Sequence, residues 1–154
     1  LGCRLPVVPE RGQILRLDVA DINKGYAPFY GETYVLPKVD GSVLAGTTRE
    51  HGVYENRVTE DGRASIVRRV SAMMPGLSGA HLVHAVSGLR PMSEDHLPML
   101  GRLPGWDNAY VAAGHYRWGM LLSALSGRCM AQLMTGSPTE YPLAAFDPAR
   151  FASA

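Results

Sequence analysis

Cysteine is scarce in this 154-residue chain: Cys3 and Cys129 are the only two. They share no metal-binding spacing and are too few for a disulfide framework, so each reads as a free thiol in a cytoplasmic protein. Charge of either sign is also short of an excess. The formal net charge is +1, which gives no electrostatic case for nucleic acid or an anionic membrane surface. No apolar run approaches the ~20 residues of a membrane span, and no secretory leader pattern is seen. No two glycines are spaced as Gly-x-Gly, which excludes a dinucleotide fingerprint within these residues, and no Walker-type phosphate loop exists. Repeats and low-complexity tracts are missing too. The first residue is Leu1 and not methionine, which suggests a processed, cleaved or excised chain.

What is present suits an ordinary globular domain or a piece of a larger one. Apolar residues make up 46% and charged residues 19%, enough to bury a core. Residues 13–18 read as a strand entered through a turn at Pro9-Glu10-Arg11-Gly12. Residues 33–37 and 42–47 flank Val39-Asp40-Gly41, a hairpin signal. Over residues 61–74, Val67, Val70 and Met74 recur at helical spacing. Asp61 is the expected cap, Arg68 and Arg69 (with Arg63) form a solvated face, and Pro75-Gly76 is the stop. Residues 82–86 and 108–113 read as further strands. Residues 118–134 form the strongest helix, with a stripe of Trp118, Leu121, Leu122, Leu125, Cys129 and Leu133, closed by Gly136. The tail over 144–151 is interrupted by proline and expected on the surface. The order predicts an α+β fold with an antiparallel or mixed sheet.

Two arginines stand out. Arg90 lies in Ser87-Gly88-Leu89-Arg90-Pro91 and Arg117 in Gly114-His115-Tyr116-Arg117-Trp118-Gly119. Both segments are otherwise apolar and Gly-bounded. A guanidinium there needs an anionic partner, because burying its charge alone is costly. The pair suggests a clamp for an anionic small molecule. Local alternatives remain open: an ion pair of Arg90 with Glu94 or Asp95, and a simple capped helix after Gly114. Tyr34, in Tyr34-Val35-Leu36-Pro37, reads equally as a core tyrosine. Among the histidines, His81 and His84 would face opposite ways on a strand, so no metal site is expected. Asp95-His96 has the residue types of an acid–base pair, but no nucleophile motif accompanies it.

In order and spacing, several segments together resemble a known family. They are Pro9-Glu10-Arg11-Gly12-Gln13, Tyr34-Val35-Leu36-Pro37, residues 41–47, Gly88-Leu89-Arg90-Pro91 with Asp95, Pro98 and Gly101, and Gly114-His115-Tyr116-Arg117-Trp118-Gly119. The chain resembles the C-terminal half of the D-amino-acid oxidase superfamily of FAD-dependent enzymes, and within it the glycine oxidases of the thiamine-biosynthesis type. The resemblance implies a substrate-binding sheet domain over 1–107, and a strand, helix and tail of the FAD-binding domain over 108–154. It implies that Arg90 grips a substrate carboxylate, that Arg117 does the same or shapes the site, and that Tyr34 contacts substrate. His115, Tyr116, Arg117 and Trp118, with Gly119, Met120 and Leu121 at the helix start, would lie against the flavin. Trp118 stands where glycine oxidase-like sequences commonly carry asparagine.

The implied chemistry is oxidation of the C–N bond of a small amino acid (glycine, sarcosine or a D-amino acid). Hydride passes to FAD, and the products are an imine and, with oxygen, hydrogen peroxide. The implied partners are that substrate, the N-terminal FAD-binding half with its Gly-rich loop, and further copies in a homo-oligomer. The alternative is a non-catalytic fragment or pseudoenzyme serving as a binding or assembly module.

Overall fold

A computed structural model describes residues 5–19 and 25–152; Leu1 and Cys3 lie outside them. The α+β architecture with antiparallel sheets is as the sequence predicts. The chain divides into two compact units, Glu10–Leu89, and Leu1–Pro9 with Arg90–Ala154.

In the first unit, strands β1 (Val7–Asp18), β2 (Phe29–Tyr30), β3 (Thr33–Pro37), β4 (Ser42–Gly46) and β5 (Glu50–His51) run in the order β2-β3-β4-β1-β5, and β6 (His81–Ser93) also pairs with β1. The β3–β4 hairpin forms where Asp40-Gly41 directs it. The Asp40 carboxylate accepts from the Ser42 amide at 3.0 Å, and Gly41 takes φ +91°, which favours glycine. β1 begins earlier than expected: Pro9-Glu10-Arg11-Gly12 is strand and not turn. Glu10 and Arg11 stand opposite His51 and Glu50, so a distant partner overrides the local turn signal.

Helix α1 (Glu60–Met73) packs on β3 and β4. Its cap is Thr59, not Asp61: the Thr59 hydroxyl accepts from the Gly62 amide at 3.2 Å. Its core face is Ile66 and Val70, whereas Val67 is 44% exposed. Ile66 and Val70 join Leu15, Leu17, Val35, Val43, Ala45 and Leu77 in one apolar cluster. Burial of each large side chain there is worth about 1.5–3 kcal/mol relative to exposure. Arg69 is half-buried and donates to the Thr47 carbonyl at 2.8 Å, so the basic face is not wholly solvated.

In the second unit β7 (Met99–Arg102) pairs antiparallel with β8 (Tyr110–Ala113), and helix α2 (Gly119–Met134) packs on both. This pairing joins Met99–Arg102 to the C-terminal segments. The tail forms two short 3-10 turns, Ala144–Phe146 and Pro148–Phe151. It is not merely superficial: Pro148 is buried against Gly101, where a Cβ would meet the proline Cδ at 2.7 Å. Of the expected α2 stripe, Cys129 is buried, while Leu121 is 74% and Trp118 49% exposed. The buried face of α2 is Ser126, Cys129 and Met130.

The tail is tied down by charge. Arg150 donates to Asp95 through Nε at 2.7 Å and reaches the Leu97 carbonyl at 2.8 Å. Arg150, aided by the Leu97 amide, lowers the Asp95 carboxyl from 3.8 to about 2 against the opposing effect of burial. The folded value lies below the unfolded one, so this contribution is complete above pH 3.8 and is lost as pH falls toward about 2. In the full-length protein the urea midpoint is expected to fall across that window. An Asp95→Asn variant should be weaker at neutral pH and show less of this decline. Parallel declines in the two proteins would remove Asp95 as the cause.

Candidate functional site

The turn between β8 and α2 is built from constrained residues. Gly114 is buried at φ +75°, and a Cβ there would lie 3.1 Å from the Ser93 Cβ, so only glycine fits without displacement. His115 follows, with its Nε2 2.9 Å from the Ser126 hydroxyl of α2. Burial pushes the His115 pKa below the ordinary histidine range, favouring the neutral ring in that bond. Tyr116 then takes φ +52°, the left-handed region that side chains rarely occupy. Tyr116–Trp118 is a 3-10 turn leading into α2, which has no side-chain cap. The first amides of α2 therefore lack a side-chain acceptor and carry the positive end of the helix dipole. Around them the surface is apolar, with Met120 92% and Leu121 74% exposed.

Arg117 is exposed at this turn, its guanidinium lying over the Trp118 ring 5.2 Å from the centroid. Arg90 is half-buried in β6, in the extended backbone expected before Pro91. Two residues on, Met92 forms an antiparallel bridge with His115. Arg90 precedes that bridge by two residues and Arg117 follows it by two, so the structure brings the two arginine segments together. Asp95, one of the two carboxylates expected beside Arg90, is held by Arg150 instead. The same contact occupies the acid of Asp95-His96, and His96 is exposed at φ +62°.

Tyr34 belongs to the other unit, half-buried on β3 opposite Gly46. A Cβ at Gly46 would lie 2.9 Å from both Cζ and the hydroxyl of Tyr34. The tyrosine ring thus lies across the bare backbone of β4.

Sequence reading missed a buried polar cluster in the Glu10–Leu89 unit. Gln13, fully buried, donates to Glu50 at 2.7 Å and to the Thr59 hydroxyl at 3.0 Å, and accepts from the Thr59 amide at 2.8 Å. Arg11 donates to Glu50 at 3.1 Å and to the Glu55 carbonyl at 3.0 Å. Burial alone would raise the Glu50 carboxyl, but hydrogen bonds from Arg11, Gln13 and Thr48 outweigh it and hold it below its usual range. Arg11 and Gln13 lie 37 or more residues from the groups they bond here, so no local pattern announces the cluster. Among the described residues no group of His, Cys, Asp or Glu could hold a metal ion, and no helix is long and apolar enough to cross a membrane.

Residues 1–133 match the family described as FAD dependent oxidoreductase. The chain belongs to this family. Within it, the chain is 36% identical to glycine oxidase of Pseudomonas aeruginosa, over 100% of its own length and 41% of that protein. The crystal structure of glycine oxidase from Geobacillus kaustophilus superposes with a TM-score of 0.91 at 34% identity, over 97% of this chain and 40% of that one. Iminodiacetate oxidase from Chelativorans sp. BNC1 gives 0.89 at 30% identity, covering 96% and 41%. The chain thus spans about 40% of the length of the curated relatives it matches.

FAD is this family's cofactor, and the α2 start suits one face of it. A flavin ring is a flat, largely apolar surface with acceptor atoms along its pyrimidine edge. The exposed Met120 and Leu121 beside amides without a side-chain acceptor offer the matching chemistry.

Proposed function

We propose that this chain carries the substrate clamp and part of the flavin-facing surface of an FAD-dependent oxidase of small amino acids. The observation that supports this most is the Met92–His115 bridge, which joins the Arg90 and Arg117 segments at the start of α2. A guanidinium reads a carboxylate through two parallel N–H···O bonds, so two of them fix both the charge and the orientation of an amino acid. His115 to Leu121 face the flavin, with the α2 amides opposite its acceptor edge. The Gly-rich dinucleotide loop that these residues lack is supplied by the N-terminal half of the family fold.

When bound, FAD provides the hydride-accepting chemistry. The residues of this chain hold the substrate so that its Cα–H points to one place and water has little room there. The amine is oxidised to an imine, water hydrolyses the imine, and oxygen is reduced to hydrogen peroxide. The names of the glycine oxidase relatives support glycine as a substrate.

A visible absorption spectrum of the full-length protein tests this reading. Flavin bands bleached without oxygen by glycine or sarcosine, and restored with peroxide on aeration, are the expected result. A protein free of flavin, or a flavin that no small amino acid reduces, would refute it and leave a non-catalytic binding module.

A further inference from the structure

The Arg117–Trp118 stack is not needed by unit packing. Trp118 is 49% exposed, so its indole adds little to any core formed by these residues. Arg117 is exposed as well, and among the described residues it makes no ion pair. What holds it is the indole beneath it, at a centroid distance of 5.2 Å, inside the ~6 Å range of a cation–π contact. The turn bearing both residues is fixed by the His115–Ser126 bond and by the left-handed Tyr116.

Resting on the oxidase reading above, we propose that Trp118 is a positioning residue: a shelf that holds the Arg117 guanidinium at this turn so that its N–H groups meet a substrate carboxylate. The cation–π contact restrains the long arginine side chain beforehand. Less side-chain freedom is then lost when the carboxylate binds.

The test compares Trp118→Phe and Trp118→Asn in the flavin-loaded full-length protein. Phenylalanine keeps an aromatic face, so its KM for glycine should stay within about threefold of wild type. Asparagine should raise that KM by roughly 5- to 30-fold over the phenylalanine variant, because the guanidinium loses its support. Equal KM values in the two variants would overturn the proposal.

A second measurement does not depend on turnover. With every other tryptophan of the full-length protein replaced by phenylalanine, the fluorescence of Trp118 should respond to acetate, and the response should vanish in Arg117→Met. Glycine oxidation without any acetate response would sink the shelf and leave the oxidase reading standing. An acetate response without reduction by any amino acid would do the reverse.

Discussion

Arg90→Ala is expected to raise the KM for the amino-acid substrate by a factor corresponding to about 2–5 kcal/mol, the cost of leaving a carboxylate without its guanidinium in a desolvated site. Arg90 lies in a half-buried strand position beside the Met92–His115 bridge. Its backbone is extended before Pro91, and a urea midpoint measured on the same variant separates lost binding from lost stability. Arg90→Lys separates charge from shape. Lysine keeps the positive charge but lacks the planar fork, so it should recover only part of the loss. Steady-state kinetics of the full-length protein measure this. A KM for Arg90→Ala equal to wild type would remove Arg90 from the clamp.

Gly62→Ala should destabilise the protein by about 1–3 kcal/mol, the range for overpacking a filled interior. The usual sign is the opposite, since alanine is favoured over glycine inside a helix by roughly 1 kcal/mol. Here the new Cβ would lie 2.2 Å from Nε2 of the fully buried Gln13. That amide cannot swing aside freely, because Glu50 and Thr59 hold it. Moving it leaves buried polar groups unpaired, which adds to the steric cost. Urea unfolding of Gly62→Ala beside Gln13→Ala and the double variant isolates the cause. If the glycine substitution costs as much without the glutamine side chain as with it, the clash is not responsible.

Much of the fold was legible where the signal is local. The β3–β4 hairpin follows from Asp40-Gly41, and α1 and α2 follow from their periodicity and their stops at Pro75 and Gly136. Legibility ended where distant residues decide the outcome. Pro9 and Gly12 spell a turn, yet pairing with β5 keeps them in a strand. Gly88 and Pro91 conceal that β6 continues to Ser93. Periodicity marked the apolar stripe of α2 but could not say which part of it this chain buries. The same limit applies to the site. Arg90 and Arg117 drew notice through their apolar, Gly-bounded surroundings. The bridge joining their segments and the occupation of Asp95 by Arg150 are tertiary facts with no counterpart in local sequence.

The contact between Gly46 and Tyr34 has a consequence for how such a site can change over time. A methyl group at position 46 would stand 2.9 Å from the tyrosine ring, so a larger residue on β4 requires a smaller one on β3. The constraint is one-sided: position 34 can lose its ring while the glycine stays, but position 46 cannot enlarge against the ring. An evolutionary path that changes both residues must first remove the ring and only then release the glycine, because the opposite order passes through an intermediate in which the new side chain and the ring compete for the same space.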